Sequence, residues 1–483
     1  MLPQADAALV DGQNRTRIFH GVNAVMKIFP WVPNVEVFTL DDSLAEEDWL
    51  RLADWGFTAV RLGTMWPGLE WERGVYNTTY LDVLEEIVNG LGKHGIFTLL
   101  DAHADLFNRN FCGEFAPDWA VATDGDFLPF PQPIAASIKR NASTGYPELD
   151  DCLSRPFFEY YFTHAVSYAY QGLYDNHNGT LDSFFKDNPY VLGYELLNEP
   201  WAGDIYADPE LLEFGVAGRK NLAPMYEKIN AAIRSVDDEH LVFYEDAVSN
   251  QGHAGFDAPP GGAAYANRSV YSYHIYCAPT DKSGDPTHVV ECNLVDDYFE
   301  NVKMADVTRL GGGGYLTEMG AMLESPAAAD ALNHLLDLCD ANLQSFNYWQ
   351  YKPYHDLTTA SQPFDESFYY PNGTLQANKI KVLSRTYAYA TAGVPRDMMF
   401  DAETGAFKFV WDSWGHTIGL PTSIYLNEAM WYPHGYSVTF IPRDGASYSS
   451  PTRNHLDIVP ASTFPDSSTL TVVITPNDSQ VLA

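Results

Sequence analysis

Eight apolar, β-branched runs recur along the first three-quarters of the chain, separated by stretches with helical spacing. They are RIFHGVNAV (17–25), FTAVRLG (57–63), GIFTLLDA (95–102), YVLGYELLN (190–198), HLVFYED (240–246), SVYSYHIY (269–276), GYLTEMG (314–320) and SFNYWQYK (345–352). Several are apolar nearly throughout, as strands covered on both faces must be. The intervening runs at 44–55, 80–94, 155–174, 222–236 and 327–342 carry apolar residues at helical intervals. Alternating strand and helix predicts an α/β fold with a parallel sheet, and eight units predict a (β/α)₈ TIM barrel. About 90 residues separate the third and fourth runs, a loop-rich insertion of the length expected over a barrel mouth. The run 379–391 reads as a closing helix. Beyond it the period changes to short alternating segments (AFKFVWD, TSIYLNEAMWY, YSVTFIP, LTVVITP), which predict an antiparallel β-sandwich. The expected domains are therefore a barrel over 1–392 and a sandwich over 393–483.

Two glutamates sit where such strands end. Glu199 follows the fourth run in YELLNEPW, and Glu318 lies in the seventh in YLTEMG. Functional groups of a (β/α)₈ barrel collect at the C-terminal ends of its strands, and a charge on an apolar strand is costly without a partner or a purpose. Two carboxyls bracketing one cleft suit glycoside hydrolysis, with one as acid and the other as nucleophile; about 5–5.5 Å between them is the retaining geometry. Asn198 precedes Glu199 and can bond a sugar hydroxyl, while Pro200 fixes the turn. His274 and Tyr276 lie two apart on one strand face, which sets Tyr276 to hold the nucleophile. Arg61 in the second run can keep Glu318 anionic. The third run ends D-A-H-A-D, placing Asp101, His103 and Asp105 together; sugar hydroxyls are expected there, and no metal or cofactor. Trp349 offers an indole floor at the end of the eighth run.

Charge narrows the partners. Against 28 basic residues stand 64 acidic ones, a formal net charge of −36, which excludes nucleic-acid phosphates as a partner. The five cysteines show no C-x-x-C spacing. Cys112 with Cys152, and Cys277 with Cys292, bracket loops that disulfides would staple, while Cys339 sits in an apolar helical run. Seven N-x-S/T sequons begin at Asn14, Asn77, Asn141, Asn178, Asn267, Asn372 and Asn477. With the disulfides they point to a secreted, lysosomal or digestive protein, although no signal peptide is visible in this sequence. No apolar run is long enough to span a bilayer.

With these residues assembled, the chain resembles the family 5 glycoside hydrolases through Arg61, His103, Asn198, Glu199, His274, Tyr276, Glu318 and Trp349. GVNAVMK ending in Lys27, DAHADLF with Asp105, LLNEPWAGD and LTEMGA bring the resemblance closer to the endoglycoceramidases. That resemblance implies cleavage of the bond between the first glucose and ceramide in a glycosphingolipid, at a membrane or micelle surface, by a monomer served by an activator or detergent. Lys27, His103, Asp105, Asn198 and Trp349 would hold the sugar, Glu199 would act as acid/base and Glu318 as nucleophile. A ceramide needs an apolar lane, for which Ile28, Phe29, Trp31, Met65, Trp66, Leu106, Phe107, Trp201 and Tyr206 are the candidates. An endo-β-glucanase, β-mannanase or β-glucosylceramidase with the same carboxyls, and a non-catalytic glycan- or lipid-binding barrel, stay open as alternatives.

Overall fold

The eight apolar runs close into one parallel barrel in a computed structural model, which describes residues 2–3, 8–121, 130–175, 185–277, 280–359, 361–417 and 419–477. The barrel strands are β1 (His20–Ala24), β2 (Ala59–Gly63), β3 (Phe97–Asp101), β4 (Val191–Glu195), β5 (Leu241–Tyr244), β6 (Ser269–Ile275), β7 (Gly313–Gly320) and β8 (Ser345–Trp349). Each pairs in parallel with its sequence neighbour, and β8 returns to β1.

The inside of the barrel is layered. Phe19, Ala59, Leu99, Leu192, Leu241, Phe243, Val270 and Tyr315 fill the lower interior as an apolar plug. Alternation then brings inward the residue two places further along, so Ala59 is followed by Arg61 and Leu99 by Asp101. The outer faces of the strands pack against the helix layer in a continuous core that includes Leu62, Leu84, Ile87, Val88, Val166, Tyr170, Leu332 and Leu335. Sequence thus places greasy side chains below and charged ones above on the same strands.

Five predicted helices are present as Glu46–Asp54, Thr78–Lys93, His164–Tyr174, Ala223–Arg234 and Pro326–Ala341. The run 155–174 is broken: a 3₁₀ segment, Phe157–Phe162, precedes the helix that Thr163 caps by accepting the Val166 N–H. The expected closing helix over 379–391 is corrected. Ala377–Leu383 is helical, and Tyr387–Thr391 is a strand, because YAYAT buries Tyr387, Ala388 and Ala390 while pairing with Thr422–Tyr425.

That strand belongs to a seven-stranded antiparallel sheet, which also takes in Leu2–Pro3, Leu9–Val10, Thr16–Arg17, Thr422–Tyr425, His455–Pro460 and Ala446–Ser449. A four-stranded sheet of Gly393–Phe400, Phe407–Ser413, Thr469–Pro476 and Tyr436–Ile441 packs on it. Phe407, Phe409, Trp411, Ile424, Leu456, Leu470, Val472 and Ile474 form the shared core of this sandwich. Cys112–Cys152 and Cys277–Cys292 are disulfides, and Cys339 is a buried thiol. The Asn178 sequon and residues 122–129 and 176–184 of the predicted insertion lie outside the described residues. No helix among the described residues is long and apolar enough to cross a membrane.

Candidate active site

Arg61 is the hub of the upper barrel and is fully buried. Its Nη1 donates to Glu318 Oε1 at 2.6 Å and to Asn23 Oδ1 at 3.1 Å, and its Nη2 donates to Asn198 Oδ1 at 2.7 Å. Nη2 also lies 3.1 Å from Asp101 Oδ1, and Nε bonds Glu195. Burial opposes the guanidinium charge, but Asp101, Glu195 and Glu318 raise its pKa further still, so it stays charged.

Glu318 owes its aim to an irregularity in β7. The register against β6 shifts between Leu316 and Glu318, and against β8 between Leu316 and Met319. Such a bulge lets neighbouring residues share a face: Thr317 donates to Glu195 Oε1 at 3.3 Å, and Glu318 meets Arg61. The Tyr276 hydroxyl donates to the other Glu318 oxygen at 2.7 Å. Burial raises the Glu318 pKa, with the Arg61 charge pulling against it.

Glu199 is held differently. Its backbone sits at φ +37°, a left-handed conformation unusual for a side-chain-bearing residue. Its N–H donates to Glu245 Oε2 at 2.9 Å, and its carboxyl oxygen lies 2.8 Å from His274 Nδ1. Burial first, then the Asp105 charge, raises its pKa to about 7. Desolvation thus leads, and the leading charge is that of Asp105 rather than of the partner carboxylate. His274 is pushed down to about 4 by burial and is a neutral imidazole at ordinary pH. One oxygen of Glu199, one of Glu318 and a ring nitrogen of His274 all lie within 4.8 Å of each other.

A second buried cluster adjoins the first. Lys27 Nζ reaches Asp105 at 2.6 Å, Asp356 at 2.9 Å and the Thr358 hydroxyl at 2.9 Å, with Glu114 at 3.9 Å. These acids outweigh the burial that disfavours its charge. His103 bridges Asp101 at 2.8 Å and Asp105 at 3.3 Å; burial works against its proton, yet Asp101 leads in raising the pKa to about 10. Its ring stacks 5.2 Å from that of Trp349, and Lys27 Nζ sits 4.7 Å over the same indole. Trp349 Nε1 donates to Asp356 Oδ2 at 3.2 Å.

Lys27, Arg61, Asp101, His103, Asp105, Asn198, Glu199, His274, Tyr276, Glu318 and Trp349, all singled out from the sequence, thus stand in one connected network. Sequence reasoning missed Glu114, Glu195, Glu245, Asp356 and Thr358. Glu195 and Glu245 end apolar runs as Glu199 does, and that signal was readable. Glu114, Asp356 and Thr358 come from loops after β3 and β8, where no periodicity locates them. Among the described residues two triads bring metal-ligand atom types together, Glu195–Glu245–His274 and Glu199–His274–Glu318, and Arg61 already pairs with Glu195 and Glu318.

The expected apolar lane is corrected in part. Met65, Trp66, Leu106, Phe107 and Trp201 are buried, and Trp66 and Phe107 line an apolar cavity of about 230 Å³ between barrel and helices. Phe29, 81% exposed, and Tyr206, 40% exposed, remain at the surface. Beside the acid pair, a cavity of about 200 Å³ is bordered by Glu199, Glu245, His274, Tyr276, Phe299 and Lys303.

Comparison with known proteins follows the same geometry. The family model for cellulase, glycosyl hydrolase family 5, matches residues 26–355, and that for the glycoside hydrolase family 5 C-terminal domain matches 385–474. An endoglycoceramidase of Cyanea nozakii is 38% identical over 91% of this chain and 86% of its own length. One of Hydra vulgaris is 38% identical over 90% of this chain and 82% of its own. The fold matches that of endo-glycoceramidase II from Rhodococcus sp., solved as a lactosyl-enzyme intermediate, with a TM-score of 0.74 at 23% identity, covering 98% and 100% of the two chains.

Proposed function

The chain belongs to glycosyl hydrolase family 5 and to its endoglycoceramidases, and from that premise we propose that it hydrolyses the β-glucosidic bond between oligosaccharide and ceramide with retention. The observation that carries the assignment of roles is the asymmetry of the two carboxyls. Burial raises both, but Glu199, near 7, keeps a proton to give, whereas Glu318 accepts hydrogen bonds from Arg61 and Tyr276 that favour its anion. Their oxygens, within 4.8 Å of each other, fit the short separation of a double displacement, about 5–5.5 Å between carboxyls.

In the first step the Glu318 carboxylate attacks the anomeric carbon, and the bond to the ceramide oxygen breaks. Glu199 donates its proton to that oxygen, and ceramide leaves as an alcohol. In the second step the Glu199 carboxylate takes a proton from water, whose oxygen displaces Glu318 from the anomeric carbon. The oligosaccharide departs with its original configuration, and both carboxyls return to their starting states. Neutral His274 orients Glu199 without competing for its proton at neutral pH. Lys27, Asp105, His103, Asn198 and Trp349 line the side on which the first sugar would lie; the Asn198 amide spends one N–H on Ala104 O at 3.1 Å and keeps the other for a hydroxyl.

The working form is a monomer that meets lipid presented by a membrane, a detergent or an activator. Two disulfides and seven sequons support a secreted or lysosomal glycoprotein. A mass shift on enzymatic deglycosylation of the natural protein tests that point, and an unchanged mass refutes it. The function itself is tested by incubating the protein with a ganglioside, glucosylceramide and soluble cellooligosaccharides and identifying the products. Intact ceramide plus a whole oligosaccharide is expected. Attack on cellooligosaccharides alone would assign a glucanase instead. Glu318→Gln should abolish turnover while lipid binding stays measurable.

A further inference from the structure

A separate cavity of about 140 Å³ opens beside the Lys27 cluster, between the loops that follow β2 and β3. Trp31, Pro67, Trp71, Arg109, Glu114 and Asp118 border it. Two residues join it to the inner site. Glu114 lines this cavity, yet its Oε1 accepts the Thr358 hydroxyl at 2.8 Å and stands 3.9 Å from Lys27 Nζ. Trp31 lines it too, and packs against the Val25–Met65–Ala321–Trp349 cluster around the indole of the inner site. Through these two residues the cavity adjoins the Lys27 cluster and the Trp349 indole.

Its surface has the chemistry of a sugar subsite. Of the eleven tryptophans, Trp71 alone is more than half exposed, at 53%, so its indole is free to meet a ligand. Its loop is pinned through Glu70: Trp66 Nε1 and the Gly74 N–H donate to the Glu70 carboxylate at 2.9 and 2.7 Å, and Trp119 Nε1 donates to its carbonyl at 3.0 Å. A pinned backbone at this position lowers the entropy lost when the Trp71 ring stacks on a ligand. Opposite, Arg109 and Asp118 form a two-pronged pair at 3.0 and 2.5 Å, and the Tyr146 hydroxyl donates to Asp118 at 2.6 Å. Burial pushes the Glu114 carboxyl well up from its ordinary value. Donors and acceptors are plentiful, and the charges of Arg109 and Asp118 cancel each other.

Resting on the glycosphingolipid reading above, we propose that this cavity is a subsite for an uncharged outer pyranose of the glycan, stacked on Trp71 and hydrogen-bonded by Glu114, Arg109 and Asp118. Since the pair is already neutralised, a sialic acid carboxylate finds no unpaired cation among these three. The enzyme should accordingly favour neutral glycans longer than lactose.

The test measures kcat/KM for lactosylceramide and for a neutral tetraosylceramide with wild type, Trp71→Ala and Trp71→Phe. In wild type the longer glycan is the better substrate. Trp71→Ala should lower the tetraosyl-to-lactosyl ratio roughly tenfold, mainly through KM, and Trp71→Phe should restore most of it. The free tetrasaccharide should also inhibit wild type more strongly than the alanine variant. An unchanged ratio would overturn the subsite. An equal loss on both substrates would also overturn it, because that is the signature of a lipid tail in the cavity or of a damaged fold. If wild type releases ceramide from neither substrate, the functional reading itself fails, and no ratio arises.

Discussion

Removing one hydroxyl, in Tyr276→Phe, isolates the interaction that holds the nucleophile. Tyr276 donates to Glu318 Oε2 at 2.7 Å, while Arg61 keeps the other oxygen at 2.6 Å. Burial and the adjacent Glu318 and Glu199 charges push the Tyr276 pKa well up, so it remains a donor at every working pH. A hydrogen bond to a buried charged group contributes about 1.5–3 kcal/mol. Its loss raises the Glu318 pKa, because the bond favours the anion over the neutral acid. Glu318 must be ionised to attack, so the acid limb of the kcat/KM profile should move to higher pH. The two chemical steps should also part company. Glu318 gives up charge when the glycosyl-enzyme forms and regains it when water releases the sugar, so the missing donor penalises the second step more. The expected outcome is a kcat lowered roughly tenfold or more and a glycosyl-enzyme that accumulates, seen as a burst of ceramide and as a mass adduct on Glu318. An acid limb in its wild-type place, with no burst, would refute the reasoning and reduce Tyr276 to a packing residue.

Glu199→Gln should cut turnover of ceramide glycosides by about 10² to 10⁴, yet spare formation of the intermediate from an aryl glycoside whose leaving group needs no proton. Equal loss on both substrates would contradict its role as acid. Lys27→Met leaves Asp356 without its cation and Asp105 with His103 alone, and should lower stability in denaturant titrations by roughly 3–5 kcal/mol as well as abolishing activity. Stability itself should favour mild acid. Burial raises Asp296, Glu300 and Asp340 to about 7, so the folded state holds protons that the unfolded chain has lost above about pH 4. Those groups favour folding least once pH exceeds their folded values, while Asp105 and Asp118, held low, cost stability only below about pH 4. The melting temperature should therefore fall from about pH 5 to pH 8; a rise over that window would show that the raised carboxyls are not protonated in the fold.

The barrel was legible because strands covered on both faces must be apolar, and eight such runs leave few other architectures. The acid pair was legible for the complementary reason: a charge at the end of such a run has to be explained by chemistry or by a partner. Where one requirement did not determine the answer, the reading slipped. SRTYAYAT carries aromatic alternation directly after a true helix, and the alternation won once Tyr387 and Ala388 could be buried in a sheet that also contains Thr16–Arg17, a pairing across nearly the whole chain. Apolar residues after strand ends looked alike as a lipid lane, but Met65 packs beside the Trp349 indole, Trp66, Leu106, Phe107 and Trp201 are buried in the outer core, and Phe29 and Tyr206 stay in the open.

The two carboxyls differ because of groups from elements far apart in sequence. Glu318 is kept charged from β2 by Arg61 and from the end of β6 by Tyr276, after a bulge that no residue pattern announces. Glu199 is kept protonated by burial and by Asp105, whose own charge is fixed by Lys27 from beyond β1, beside Asp356 from beyond β8. The protonation of the acid thus depends on the same ion cluster proposed to grip the sugar. A ligand that loosens Asp105 from Lys27 would strengthen the field of Asp105 on Glu199 and raise its pKa further. Substrate binding and proton retention are thereby coupled through one carboxylate, and a sequence motif can name that residue without revealing that it serves both.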